Sequence, residues 1–463
     1  MTDPLDPKAL YKLVLGGFQH LNYADYTETD PLLPRLLSVR ARLPEAAPHD
    51  PAALQAALNG WLNQLLAELA TQNELYHRAL TLRFVNNEKI IKAARKLNYS
   101  VDQFNRLQRE AILRICSDIA TEENRLRQTY LQHNERGLPT ASYDQLFGFD
   151  AALARLHNRL LDSTGAGIWL VTGIGGIGKT ALAHAAARAA LSEYTFTQVV
   201  WLTLEVGEAQ NNLDGLLRQL GSKLLPTSKL TGDPRAPLRD YLKSQPTLVV
   251  LDNLELDADV AALLTVLPDI VGASRVVLTT RSLPGVAVQY PTIVLQELTI
   301  DDARQLIRNQ AQRLNLPELT DASDADLNLL YAAVGGNPFA LKLLTSLCRS
   351  IALPMILAEI ETANLEEIDK MYRRVYWRAW NLLSEPAKQL LAAMPLSSET
   401  GALPVQMEVF SGLDAVTMWS AVAELLSYSL LEVRGTLTEK RYGIHRLTRA
   451  FLNSDILGLP SAK

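Results

Sequence analysis

Cysteine is nearly missing from this chain: Cys116 and Cys348 are the only two among 463 residues. Two thiols cannot build a disulfide framework or a cysteine-rich metal site. Long hydrophobic runs are missing too, and none approaches the roughly 18–20 apolar residues of a membrane-spanning helix. The start, Met1-Thr2-Asp3-Pro4-Leu5-Asp6-Pro7, lacks the basic-then-apolar pattern of an export signal. These absences predict a cytoplasmic protein with no membrane partner. A strong excess of one charge is also absent. The formal net charge of −5 excludes no partner, because local patches decide nucleic-acid binding. What remains is ordinary globular material, 48% hydrophobic and 21% charged. The length suits roughly three domains of about 100–200 residues each.

The most informative stretch is Val171-Thr172-Gly173-Ile174-Gly175-Gly176-Ile177-Gly178-Lys179-Thr180. It fits the pattern G-x-x-x-x-G-K-[ST], a phosphate-binding loop. An apolar strand, Ile168 to Val171, runs into it, and an alanine-rich helix, Ala181 to Arg188, leaves it. Glycines let several backbone N–H groups converge on one point, and the helix start adds its positive dipole end. The expected phosphate-binding set is Gly173, Gly175, Gly176, Ile177, Gly178, Lys179, Thr180 and Ala181. Lys179 would reach the β/γ-phosphates, and the Thr180 hydroxyl would complete a Mg²⁺ shell. The pattern predicts a protein that binds a nucleotide.

Upstream, residues 1 to about 50 show scattered prolines and few periodic runs. From Pro51 the spacing of Leu54, Leu58, Trp61, Leu62, Leu65, Leu66 and Leu69 is helical. Residues 83–114 read as a short helix, a tight turn at Leu97-Asn98-Tyr99, an N-cap at Ser100 and a second helix. That second helix would turn Phe104, Leu107, Ala111 and Ile112 inward. The pattern is a helix-turn-helix, similar to the sigma-factor region-four type. Between Arg83 and Arg114 eight Lys/Arg face three acids, a local charge of +5. Two readings stand: DNA contact, with Gln103, Arg106 and Arg109 towards base edges, or a protein-interaction module with a solvated basic face. Arg125 to Thr140 is charged, contains Gly137 and Pro139, and reads as a linker.

Downstream, Val199 to Leu204 is a second buried strand, and Leu213, Leu216, Leu217, Leu220 and Leu224 share one helical face. A loop with Pro226, Gly232, Pro234 and Pro237 is expected before Leu238. Thr247 to Glu255 is an apolar strand ending in an acid, with Asp252 placed to hold Mg²⁺ directly or through water. Ser274 to Arg281 is another strand, and Arg281 stands where it could sense a γ-phosphate. Strands alternating with helices predict a parallel α/β sheet. Lys179, Asp252 and Arg281 are the candidate catalytic groups, with Thr180 and Asp252 for the metal.

The order of these motifs resembles the NB-ARC branch of the signal-transduction ATPases with numerous domains. The residues that carry the resemblance are 173–180, Leu248 to Asn253, Ser274 to Arg281, Leu295 to Leu298 with the helix Asp301 to Leu314, Gly335 to Leu341, and Tyr442 to Leu447. It covers about residues 143–455. The resemblance implies a multidomain α plus α/β fold: a helical domain (1–140, helix-turn-helix at about 83–114), a P-loop NTPase domain (141–295), a small helical domain (296–355) and a winged helix (356–463). It also implies that Pro338 packs on the adenine and that His445 meets the ADP β-phosphate and locks the protein closed. Asn337-Pro338 by itself reads as an N-cap followed by the first helical residue.

Three departures from the family pattern stand out. Ile-His-Arg (444–446) replaces the usual Met-His-Asp, which alters how the lock is tuned. Asn253 follows Asp252 where many members carry a second acid, and an amide cannot take a proton. Glu255 is the nearest substitute, so hydrolysis is expected to be slow, as in a timer. No repeat domain is expected after the winged helix, and residues 1–140 carry no protease, TIR-like or kinase signature. The expectation is therefore an ADP-closed, ATP-open switch that forms a homo-oligomer. Its output would be DNA binding and transcriptional control, or recruitment of a separate effector or sensor protein.

Overall fold

The computed structural model describes residues 6–21, 30, 32–43, 51–162, 165, 167–204, 213–226, 232–254, 257–281, 285–356, 373, 376–377, 379–398, 401–435 and 439–458. The chain divides into two compact units. One holds residues 1–136, 188–198 and 240–247; the other holds 137–187, 199–239 and 248–463.

The first unit is helical: α1 (Pro7–Gln19), α2 (Leu37–Arg40), α3 (Pro51–Gln72), α4 (Glu74–Leu80), α5 (Ile90–Lys96) and α6 (Val101–Glu135). The leucine stripe of α3 is buried as its spacing requires, against Leu10, Val14 and Phe18 of α1 and Ile112, Ile115 and Ile119 of α6. The first fifty residues, which read as scattered prolines with few periodic runs, thus still supply α1 and α2. Leu10, Leu13, Val14 and Phe18 of α1 and Val39 of α2 are buried in the core, with Tyr11, Leu15 and Leu43 packed against it in part. The turn at Leu97-Asn98-Tyr99 is present, with Asn98 at φ 58°. Ser100 and Gln103 then form a reciprocal capping box at the start of α6.

The Arg125–Thr140 stretch is not a linker along most of its length. Helix α6 continues unbroken to Glu135. Its charges are absorbed locally: Arg125 pairs with Glu122 on the surface, while Glu123 and Arg127 pair inside at 2.8 Å. An (i, i+4) ion pair keeps both charges on one helix face, so a charged stretch can stay helical and buried.

The second unit opens with α7 (Asp150–Leu161) and carries a five-stranded sheet. Along the chain come β1 (Ile168–Thr172), α8 (Lys179–Leu191), β2 (Gln198–Thr203), α9 (Leu213–Leu224), α10 (Arg235–Ser244), β3 (Thr247–Leu254), α11 (Asp257–Val271), β4 (Arg275–Thr280) and β5 (Thr292–Val294). The strand order is β2-β3-β4-β1-β5, and β1 pairs in parallel with both β4 and β5. Every residue of β1, β3 and β4 is buried, as expected of central parallel strands covered on both faces. The expected loop up to Leu238 is shorter, because α10 begins at Arg235. Pro237 sits in its first turn, where a missing N–H breaks no helical bond.

Helices α12 (Ile300–Arg313), α13 (Pro317–Thr320), α14 (Asp324–Val334) and α15 (Pro338–Leu347) follow. Beyond them lie α16 (Glu385–Ala393), α17 (Pro404–Ser411), α18 (Ala415–Ser427), the antiparallel pair β6 (Glu432–Gly435) and β7 (Lys440–Gly443), and α19 (Arg446–Phe451). Among the described residues no single helix is long and apolar enough to cross a membrane.

Candidate nucleotide site

The loop between β1 and α8 can take its shape only with glycine at two points. Gly173 has φ +151°, and a Cβ there would lie 2.9 Å from the Leu295 carbonyl oxygen. Gly178 has φ +105°, and a Cβ there would lie 2.7 Å from the Phe149 ring. Lys179, the first residue of α8, is buried. Its Nζ arches back over the loop and donates to the carbonyls of Gly173 (2.7 Å) and Ile174 (3.0 Å). The ammonium is therefore held at the loop mouth, where a phosphate would compete for it.

Thr180, at the next position, donates through Oγ1 to Asp252 Oδ1 at 2.9 Å and Oδ2 at 3.1 Å. Asp252 is buried near the end of β3. Strand β4 lies between β1 and β3 in the sheet, so its carboxyl end reaches this pair. Thr279 donates to Asp252 Oδ1 at 2.6 Å. Arg281 is exposed one residue past the end of β4. Glu255 lies outside the described residues.

A hydroxyl and a carboxylate in direct contact form the oxygen-only donor pair that suits Mg²⁺. No cluster of three or more His, Cys, Asp or Glu that could hold a metal occurs among the described residues. The pair fits a cation that keeps few protein ligands and takes its other oxygens from phosphates and water.

From the other side, Asn337 reaches the same loop. It caps α15 by accepting from the Phe339 and Ala340 amides at 3.1 and 3.2 Å. Its Nδ2 donates to the Gly175 carbonyl at 2.9 Å. The sequence reveals the cap but not this second bond, because nothing local says where an N-cap's spare amide points. Pro338 is the first residue of α15 and is half-buried. Phe339 stacks on His445, with ring centroids 3.8 Å apart and planes 18° from parallel. His445 thus meets the α15 start through an aromatic contact. In the helical unit, Arg106 and Arg109 are exposed on α6. The Gln103 side-chain oxygen accepts from the Ser100 amide at 2.9 Å.

Residues 149–316 match the NB-ARC domain. The NB-ARC match begins at Phe149, whose ring closes over Gly178, and ends after α12. It holds the phosphate loop, Asp252 and Arg281, and leaves Asn337, Pro338 and His445 beyond its edge. Among solved structures, similarity is found to a signal transduction ATPase with numerous domains (STAND) protein with a tetratricopeptide repeat sensor from Pyrococcus horikoshii. Identity is 19% and the TM-score 0.43, over 67% of this chain and 42% of that one. The chain therefore spans less than half the length of that protein. The Walker-type ATPase of Pyrococcus abyssi is 13% identical over 68% of this chain and 98% of its own, at a TM-score of 0.33. The FIGL-1 AAA domain in complex with ADP is 14% identical over 54% and 90%, also at 0.33. No curated protein matches the chain.

Proposed function

We propose that this chain is an ATP/ADP-dependent switch of NB-ARC type, closed with ADP and opened by ATP. The observation that carries the reading is the Asn337–Gly175 bond beside the Phe339–His445 stack. Through it, the phosphate loop, the first turn of α15 and the segment after β7 converge on one place. A ligand that changes the loop changes contacts in all three, which is the differential binding a switch needs. Lys179 and the loop amides would hold the phosphates, Thr180 and Asp252 the Mg²⁺, Pro338 the adenine and His445 the closed state. Bound Mg²⁺ would offset phosphate charge. Arg281, at the edge next to Asp252, would report the γ-phosphate, and turnover would be slow.

In this reading α16, α17, α18 and the β6–β7 hairpin make up a winged helix. The helical unit is the output, either through DNA or through a recruited protein. Exposed Arg106 and Arg109 support DNA contact, whereas the use of Gln103 in its capping box weakens it as a base reader. Charge reversal at Arg106 and Arg109 separates the two. Loss of salt-sensitive DNA binding would favour control of transcription, and no change would favour the scaffold. The switch itself is tested by light-scattering mass in ADP and in a non-hydrolysable ATP analogue, with Lys179→Ala as control. A larger particle only with the analogue, and not in the variant, is expected. Equal masses in both nucleotides would remove oligomerisation from the reading.

A further inference from the structure

The pairing of β3 with β4 slips beside the metal-binding pair. Leu251 lies opposite Leu278, but Leu254 lies opposite Thr280. Three steps along β3 match two along β4, so one extra residue is inserted between Leu251 and Leu254. Asn253 sits in this bulge at φ 72°, a left-handed conformation that asparagine tolerates better than most residues. Four hydrogen bonds close around it. The Leu204 amide donates to the Asp252 carbonyl at 2.9 Å. Asn253 Nδ2 donates to the Leu204 carbonyl at 2.9 Å, and the Asn253 amide donates to Thr279 Oγ1 at 2.9 Å. Thr279 Oγ1 in turn donates to Asp252 Oδ1 at 2.6 Å.

The direction of the last bond is fixed by the carboxylate, which has only acceptors. The hydroxyl proton of Thr279 therefore goes to Asp252, while a lone pair of the same oxygen takes the Asn253 N–H. Thr279 therefore grips Oδ1, while Thr180 bridges Oδ1 and Oδ2. We infer that Thr279 is a positioning residue for the cation that accompanies the nucleotide, holding the Asp252 carboxylate turned towards Thr180, with the Asn253 bulge holding Thr279 in turn. The inference rests on the nucleotide reading for its ligand but not for the clamp itself. It also gives Asn253 a role: its side-chain amide ties the end of β3 to that of β2, a bond an acid could not donate, while its backbone N–H makes the link to β4.

The test uses the full chain as wild type, Thr279→Val and Thr279→Ser, with Thr279→Ala replacing the valine variant if that one fails to fold. Amide exchange of residues 247–254 is read first, without nucleotide. Asn253 should exchange faster in Thr279→Val and as in wild type in Thr279→Ser; unchanged exchange in Thr279→Val would overturn the clamp. Mn²⁺ is then titrated into the complex with a fluorescent ADP, and ADP affinity is measured separately in EDTA. Loss of an outer-shell partner should weaken Mn²⁺ by about tenfold in Thr279→Val, with ADP affinity in EDTA held within about twofold and Thr279→Ser restored. Equal Mn²⁺ affinity in wild type and Thr279→Val, or a serine variant that behaves like valine, would overturn the inference. A wild-type chain that fails to bind ADP in EDTA would instead sink the nucleotide reading, and the exchange data would still decide the clamp.

Discussion

Among the described residues each unit buries one carboxylate among several donors, and the donors differ in kind. In the helical unit Glu123 is fully buried. It accepts from the Leu37 amide (3.1 Å), the Ser38 amide (2.9 Å), the Ser38 hydroxyl (2.7 Å) and Arg127 Nε (2.8 Å). In the α/β unit Asp252 accepts from the hydroxyls of Thr180 and Thr279. Glu123 carries its cation with it, and the backbone amides around it cannot turn away. The Thr180 hydroxyl can turn and present oxygen lone pairs to an incoming metal. A carboxylate sealed with a guanidinium and main-chain amides is a structural joint, and one flanked by hydroxyls can accept a ligand. The Arg127 guanidinium also lies over the Tyr194 ring, 4.2 Å from its centroid, which fixes the joint further.

The contrast is broken most forcefully at Arg127. Arg127→Leu leaves Glu123 buried without its cation, and losing one partner of a buried pair costs about 3–5 kcal/mol. Hydrogen exchange at the Leu37 and Ser38 amides should report that loss as easier local opening. A change below about 1 kcal/mol would mean the pair is not what holds this joint. Asp252→Asn should act the other way round. Thr180 and Thr279 can still donate to the amide oxygen, so stability should move by no more than about 1 kcal/mol in chemical unfolding. Turnover of Mg-ATP should fall by about 10²–10³-fold, since the charge that holds the metal is gone. A strongly destabilised Asp252→Asn with normal turnover would reverse the two roles.

Asn253 sharpens the comparison further. Asn253→Asp supplies the second acid that the sequence lacks, yet it replaces the donor facing the Leu204 carbonyl with an acceptor. A buried bond lost in this way costs about 1–3 kcal/mol. The expected result is a lower unfolding midpoint with no faster hydrolysis. A faster enzyme at unchanged stability would show that position 253 is a vacant base site rather than the pin of a bulge.

These three positions also mark what the sequence could reveal. The phosphate loop and Asp252 are legible because their chemistry needs fixed residue types at fixed spacing, next to buried strands. Asn253 is visible only as a missing acid, because its role depends on a register slip against β4, a non-local pairing. Thr279 reads as a plain strand residue for the same reason. The Glu123–Arg127 pair looks like surface charge until a core is built around it. Helix α2 escapes notice because four residues leave little periodicity, whereas α1 does carry a helical stripe in Leu10, Leu13, Val14 and Phe18, which the nearby prolines obscure. The three residues of β5 are too few for any pattern; pairing with β1 makes them a strand.

The smallest effect is the most discriminating, and it lies at Asn337. This side chain performs two separable tasks with its two ends: Oδ1 caps α15 and Nδ2 holds the Gly175 carbonyl. Asn337→Ala removes both and should cost about 1 kcal/mol, the usual worth of an N-cap. Asn337→Asp keeps the cap, and its charge suits a helix N-terminus, but it sets a carboxylate oxygen against the Gly175 carbonyl. Stability measured by denaturation should then divide the two variants, with the aspartate less affected by cap loss. Nucleotide release, followed with a fluorescent ADP, should unite them, both dissociating faster than wild type. If Asn337→Asp releases ADP at the wild-type rate, the bond to Gly175 is only packing. The α15 start would then have no hold on the loop that the switch requires.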